Sequence, residues 1–317
     1  MSDKDGGQAC VVAVIATFRR KDLVARALQS LDATGAELQA VIVVDNAAEA
    51  ETRDVVERYP RARWIDVPDN VGCGGGLRVG AQKALEAFGA SLTHLWFLDD
   101  DVTLPAEALR RMLWELNSAG ADLGCPMTVN ARGMIDFTPG LLVKRNHRAI
   151  REAHTPSEYL AGFSDSSVPL SWTTGVCLLV TRRAIDRLGL HRADYWIRGE
   201  DLEFSLRVTQ SFKGIFIPSV IVPHLPPAAP PVRDTRAAEF RRHCALLQNT
   251  TYTATHLPHG RPLLRLIPGT YRRFLATWGY SRANLWTALQ LLWEGMIRAC
   301  PAGTSPRFQQ ISLRRGG

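Results

Sequence analysis

Two stretches near the start of the chain, CVVAVIATF at 10–18 and LQAVIVVDN at 38–46, are almost unbroken runs of apolar, mostly β-branched residues. A strand with one wet face alternates apolar and polar side chains, whereas a strand that reads as continuous is covered on both faces. The runs therefore call for a sheet sandwiched between helices. RWIDV at 63–67 and THLWFLDDD at 93–101 read as two further strands, and residues 21–34, 50–59 and 77–88 between them carry helical spacing. The βαβαβαβ order predicts an α/β fold with a mostly parallel, Rossmann-like sheet and helices on both faces.

Beyond residue 105 a helix gives way to irregular sequence. SWTTGVCLLVT (171–181) reads as one strand, 182–188 as a short helix, and the chain after Gly199 as a helix with Leu202, Phe204 and Leu206 inward. GIFIPSVIVPH (214–224) is strand-like, and Pro218 confines it to a sheet edge or a bulge. The proline cluster PHLPPAAPP (223–231) marks a boundary, which divides the chain into an α/β domain at 1–225 and a basic, mostly helical region at 226–317. Within that region 285–297 places Leu285, Leu289, Leu292, Trp293 and Met296 on one face.

Charge follows the same division. Residues 226–317 hold thirteen arginines and three acids, a charge of +10, so the first 225 residues carry −3 of the chain's net +7. A basic region of this kind suits an anionic membrane surface or a phosphate-bearing substrate ahead of nucleic acid. YRRFLATWGYSRANLW (271–286) has the arginine and tryptophan content of an interfacial helix more than of a base-stacking platform. No apolar run reaches the ~18 to 20 residues of a membrane span, and the first residues lack a secretory pattern. The expected location is cytoplasmic, including peripheral attachment at the inner face of the membrane. The six cysteines form no C-x-x-C pair, which argues against a zinc site or a disulfide framework.

In open α/β sheets ligands bind beyond the carboxyl ends of the strands. Polar residues stand at each such end: Thr17 and Arg20, Asp45 and Asn46, Asp69 and Asn70, then Asp99, Asp100 and Asp101. Three adjacent carboxylates repel one another, and burying them without a partner costs several kcal/mol. Alternation along an extended chain puts Asp99 and Asp101 on one side and Asp100 on the other. Two carboxylates on one side suit a hard divalent ion, Mn²⁺ or Mg²⁺. His224 could complete its shell as a neutral imidazole. Glu200, Asp201 and Glu203 form a second acidic group that could supply a general base. The glycine-rich GCGGGLRVG (72–80) fits no dinucleotide fingerprint, and a P-loop, a nucleophile elbow and an H-E-x-x-H pair are absent,.

As a set these residues resemble the inverting family-2 glycosyltransferases of GT-A fold, in particular the rhamnosyl- and galactofuranosyltransferase branch, from about residue 11 to 224. ATFRR (16–20) is similar to the family's T-[FY]-N-R, with Arg19 in place of Asn. VVDNAA resembles its V-V-D-N element, NVGCGGGLRVG its N-x-G-x-x-G-G-x-x-x-G loop, and FLDDD its D-x-D. SWTTGVCLLVTRR resembles its W-x-x-G strand, and RGEDLEFSLR its [ED]-D-x-[ED]-x-x-x-R. The resemblance implies donor contacts from Thr17, Phe18, Arg20, Asp45 (reading the base), Asn70, Gly72, Gly76, Asp99 and Asp100. It implies a metal on Asp99, Asp101 and His224, acceptor or sugar contacts from Trp172, Glu200 and Glu203, and Asp201 as catalytic base.

The expected partners are a UDP- or dTDP-linked sugar and a glycan, lipid-linked or small-molecule acceptor; a homo-oligomer is left open. The alternative, a GT-A-like nucleotidyltransferase, usually carries a glycine-rich loop directly after the first strand, where this chain has TFRRKD.

Overall fold

The computed structural model describes residues 9–137, 140–141, 153–162, 167–225 and 235–297. Ten strands are present among them: β1 (Val11–Thr17), β2 (Leu38–Asp45), β3 (Ala62–Asp66), β4 (His94–Leu98), β5 (Leu123–Val129), β6 (Ile135–Phe137), β7 (Gly140–Leu141), β8 (Val168–Trp172), β9 (Cys177–Thr181) and β10 (Gly214–Pro223). The helices are α1 (Lys21–Asp32), α2 (Ala50–Val56), α3 (Gly72–Phe88), α4 (Ala108–Ala119), α5 (Pro156–Gly162), α6 (Arg182–Leu188), α7 (Glu200–Ser211), α8 (Thr235–His256), α9 (Ile267–Trp278) and α10 (Arg282–Met296), with a 3₁₀ segment at Pro258–Leu266.

These elements form two compact units. The first holds residues up to Asn70, Gly76–Leu190 and Val208–Pro226; the second holds Val71–Gly75, His191–Arg207 and the chain from Pro227. A single cut at 225/226 therefore misses two earlier segments, one of which contains Glu200, Asp201 and Glu203.

The first unit is built on one sheet in the order β3-β2-β1-β4-β9-β5-β10-β8-β7, with β6 paired to β5. The first four strands pair in parallel, as their continuous apolar runs predict. Beyond β4 the sheet is mixed: β9 is antiparallel to both β4 and β5, while β10 is parallel to β5. Residues 171–181 are not one strand but the end of β8 and the whole of β9, which lie apart in the sheet. β10 is an inner strand, and it accommodates Pro218 through a break in register between Ile217 and Ile221.

Both faces of the sheet are buried. Val11, Ala13 and Ile15 join Val24, Leu28 and Leu31 of α1 and Leu109, Met112 and Leu116 of α4 in one core. On the other face α3 comes so close that a Cβ on Gly80 would stand 2.4 Å from Val14 Cγ1, and one on Gly76 2.9 Å from Ala16 Cβ. Such contact distances admit only glycine without displacing the strands. The end of α1 is closed by Arg61, whose guanidinium donates to the carbonyls of Leu31 (3.2 Å) and Asp32 (2.8 Å), groups a helix terminus otherwise leaves without partners,.

The second unit is helical. Phe240, Cys244, Ala245 and Leu247 of α8 pack with Phe274 and Leu275 of α9 and Ala288 and Leu291 of α10. The middle of α8, Gln248-Asn249-Thr250-Thr251, is also buried. Threonine hydroxyls here bond back to their own helix: Thr251 donates to Leu247 O (2.7 Å) and Thr253, just beyond the run, to Asn249 O (2.8 Å),. No described helix is long and apolar enough to cross a membrane.

Candidate active site

The strand β4 ends at Leu98, so Asp99, Asp100 and Asp101 occupy the turn that follows it. Backbone bonds fasten that turn to the end of β10. Leu225 N–H donates to Asp101 O (2.7 Å), Thr103 N–H to Pro223 O (2.9 Å), and Val102 and His224 form a bridge. Residues 120 or more apart in sequence are thus held side by side by main chain, which fixes the backbone of His224 independently of side-chain rotamers.

The three carboxylates are sorted in two directions, as alternation predicts. Asp100 accepts from the Thr17 hydroxyl (2.6 Å) and from Arg20 Nη1 (2.9 Å). Burial, the largest influence on Asp100, pushes its carboxyl upward against the pull of Arg20 and Thr17,. Asp101 turns to His224, whose Nε2 lies 3.0 Å away, while His224 Nδ1 meets Asp136 at 2.5 Å. Burial works to raise Asp101 as well, but the hydrogen bond and charge of His224 prevail and hold it below the usual range. His224 itself is pushed up to about 9: burial opposes its charge, and Asp101 and Asp136 outweigh that.

Asp99, Asp101 and His224 each offer one ligand atom, and these atoms lie within 4.8 Å of one another. Two carboxylates and an imidazole at that spacing fit a divalent ion of the Mn²⁺ or Mg²⁺ kind.

Other residues expected to meet a donor are distributed differently. Phe18 is exposed, with the Arg19 guanidinium 5.2 Å from its ring centre. Asn70 is exposed. Asp45, expected to read a base directly, is 0% exposed, and its two oxygens accept from Ala47 N–H and Glu49 N–H, each at 2.9 Å. These bonds brace the turn leading into α2. The glycine run forms the first turns of α3. A Cβ on Gly72 would stand 2.0 Å from Trp196 O, and Cys73 N–H donates to that oxygen at 2.8 Å. Gly72 and Gly76 thus both stand at close internal approaches. Trp172, at the end of β8, is half-buried and meets Phe137 edge-on, ring centres 6.1 Å apart.

In the second unit Asp201 lies in the first turn of α7, is partly exposed, and accepts from Leu202 N–H (2.7 Å). A helix N-terminus favours negative charge. Glu200 beside it is 7% exposed. Glu203, expected to touch a sugar, does not face outward: its side chain is 1% exposed. Its Oε1 accepts from Arg207 Nε (2.8 Å) and His259 Nε2 (3.0 Å), and its Oε2 from Arg207 Nη2 (3.1 Å). These partners overcome burial and take Glu203 down to about 2. Glu203 anchors the helix that carries Asp201.

A further residue, Asn249, gives no local signal in the sequence. It is fully buried in α8, and its side-chain amide donates to Ile197 O (3.2 Å) and Arg198 O (2.7 Å). Arg198 and Gly199, immediately before α7, both have left-handed backbone, at φ 62° and 99°. Asn249 therefore holds the turn from which Asp201 is presented. Only the three-dimensional pairing of 249 with 197–198 reveals it.

Comparison with known proteins agrees with this architecture. Residues 12–165 match the family described as Glycosyl transferase family 2. Galactofuranosyltransferase GlfT1 of Mycolicibacterium smegmatis is 26% identical over 213 residues, which span 63% of this chain and 66%, just under two thirds, of that relative's length. The crystal structure of S. aureus TarS 1-349 superposes with a TM-score of 0.58 at 12% identity, over 95% of this chain and 83% of that one. The mannosyltransferase PcManGT from Pyrobaculum calidifontis, in complex with GDP-Man and Mn²⁺, does so with a TM-score of 0.55 at 16% identity, over 98% of this chain and 81% of that one. With the strand order, the carboxylate turn and the family match together, residues 12–165 are similar to glycosyl transferase family 2 and the chain has the GT-A fold.

Proposed function

We propose that the protein transfers a sugar from a nucleoside-diphosphate donor to an acceptor hydroxyl in a single displacement that inverts the anomeric carbon. The observation that carries the reading is the convergence of Asp99, Asp101 and His224 within 4.8 Å at the end of β4, in a chain similar to glycosyl transferase family 2. Asp99, Asp101 and His224 would hold a divalent ion, which would supply charge neutralisation for a departing diphosphate,. Arg20, fixed by Asp100, adds a cation beside the same turn, and Thr17 keeps Asp100 in place. Asp201, in the first turn of α7, takes the proton of the attacking hydroxyl. Trp172 supplies an apolar face of the kind on which sugar rings stack.

The similarity to a galactofuranosyltransferase supports a UDP-linked furanose as the first donor to try, with dTDP-rhamnose second. The acceptor is a glycan, a lipid-linked sugar or a small molecule. The family match is to glycosyl transferases, which favours transfer over synthesis of a sugar nucleotide.

The test is a donor screen with Mn²⁺ or Mg²⁺ followed by Asp201→Asn. Loss of a general base costs ~10²–10⁴-fold in turnover, so the variant should fall by about a thousandfold while nucleotide affinity stays within about twofold. Near-normal turnover would remove the base from Asp201.

A further inference from the structure

The helix α10 has one buried side and one exposed apolar side. Its inner side, Thr287, Ala288, Leu291, Glu294 and Gly295, is buried. Its outer side carries Trp286, Leu289, Trp293 and Met296 at helical spacing, 61%, 50%, 54% and 42% exposed, followed by Ile297 at 60%. Arg282 heads the same stripe one turn before Trp286. Contiguous apolar surface of this kind marks an interaction site.

Charge on the surrounding segment narrows the partner. Among residues 258–297, Arg261, Arg265, Arg272, Arg273 and Arg282 are exposed, and the sole acid in the sequence of that segment, Glu294, is 5% exposed. Leu264, Leu266 and Tyr280 add exposed apolar groups at 48%, 38% and 68%. A second copy docking through this stripe would bring two arginine-bearing surfaces together with no acid to meet them. An anionic surface meets both features at once: arginines engage phosphate-bearing headgroups, and tryptophans sit at the boundary between headgroups and acyl chains. The fifteen residues of α10 make a helix of about 22 Å at 1.5 Å per residue, suited to lying in that boundary rather than crossing it.

We propose that the outer face of α10 is a docking surface for an anionic lipid bilayer, with Trp286 and Trp293 inserted at the interface and Arg282 on the headgroups. It stands independently of the sugar-transfer reading.

The experiment is flotation of the full chain with vesicles of phosphatidylglycerol and phosphatidylcholine, or of phosphatidylcholine alone. Wild type is compared with Trp286→Ser/Trp293→Ser and with Arg282→Glu, and light scattering gives the mass of each protein. The expected result is salt-sensitive flotation with anionic vesicles only, reduced about tenfold in the double tryptophan variant and also reduced in the Arg282→Glu variant. Because the substituted side chains are exposed, both variants should melt as wild type does; if the tryptophan pair does not, Arg282→Glu carries the comparison. Wild type that fails to float with anionic vesicles would overturn the proposal, as would flotation that neither variant weakens. So would a wild-type dimer that the tryptophan substitutions convert to monomer, which would assign the stripe to a second copy.

Discussion

Arg19 adopts φ 56°, a left-handed backbone that costs a residue with a Cβ ~1–2 kcal/mol,. Its ion pair with Glu49 is 3.7 Å long and its side chain 71% exposed, so that contact returns little. Asn relieves most of such strain, since its short polar side chain tolerates this region. Arg19→Asn should therefore stabilise the protein by ~0.5–1 kcal/mol, read as a higher denaturant midpoint. Asn249 is the opposite case. Asn249→Ala would leave the carbonyls of Ile197 and Arg198 without their donor beside a strained turn. A loss of ~1–3 kcal/mol follows, measurable by thermal unfolding, together with a lower turnover if Asp201 is the base. Neither effect can be read from residue type alone: Arg19 stands out against a family pattern, whereas Asn249 is one polar residue in a polar run.

At the level of elements, α7 is pinned by buried ionisable groups, and this sets an acid limit. Glu203 is held at about 2 against an ordinary 4.5, so its contribution is complete above pH 4.5 and lost as pH falls toward 2,. His191, stacked on Phe204, is driven down to about 3, chiefly by burial and then by the Arg207 charge. A histidine kept neutral in the fold but free to protonate when unfolded stabilises fully above pH 6.5 and progressively less below it. Stability should thus decline from about pH 6.5 and steepen below pH 4.5. In Glu203→Gln the lower part of that decline should flatten, at a cost of about 3 kcal/mol at neutral pH for stranding Arg207. Denaturant melts across pH check both; an unchanged acid limb would contradict the role given to Glu203.

The same elements show what the sequence makes legible. β1 to β4 are readable because strands covered on both faces cannot hide their composition. The start of α3 is not, since glycine disfavours helices and only the close approach to Trp196, Ala16 and Val14 makes it necessary. In α10 periodicity identifies an apolar face but not whether it turns inward. The inner side uses Thr287, Glu294 and Gly295, and a Cβ on Gly295 would stand 2.9 Å from Gln248 O. Close packing, not hydrophobicity, decided which side went in, so Leu289, Trp293 and Met296 face outward.

For the whole molecule, the carboxylate turn lies in the unit built on the sheet and Asp201 in the helical unit, which also takes Val71–Gly75 from the glycine run. Motif order along the chain gives the parts of this arrangement, but not the assignment of 71–75 and 191–207 to the second unit, because that depends on contacts far apart in sequence. The central claim concerns the ion. Calorimetric titration of the donor nucleotide with and without Mn²⁺ tests it, comparing wild type with Asp99→Asn/Asp101→Asn. The expected result is nucleotide affinity that rises at least about tenfold with Mn²⁺ in the wild type and an ion effect that disappears in the variant while its melting point is kept. Equal nucleotide affinity with and without Mn²⁺ in the wild type, or an undiminished ion effect in the variant, would contradict the account.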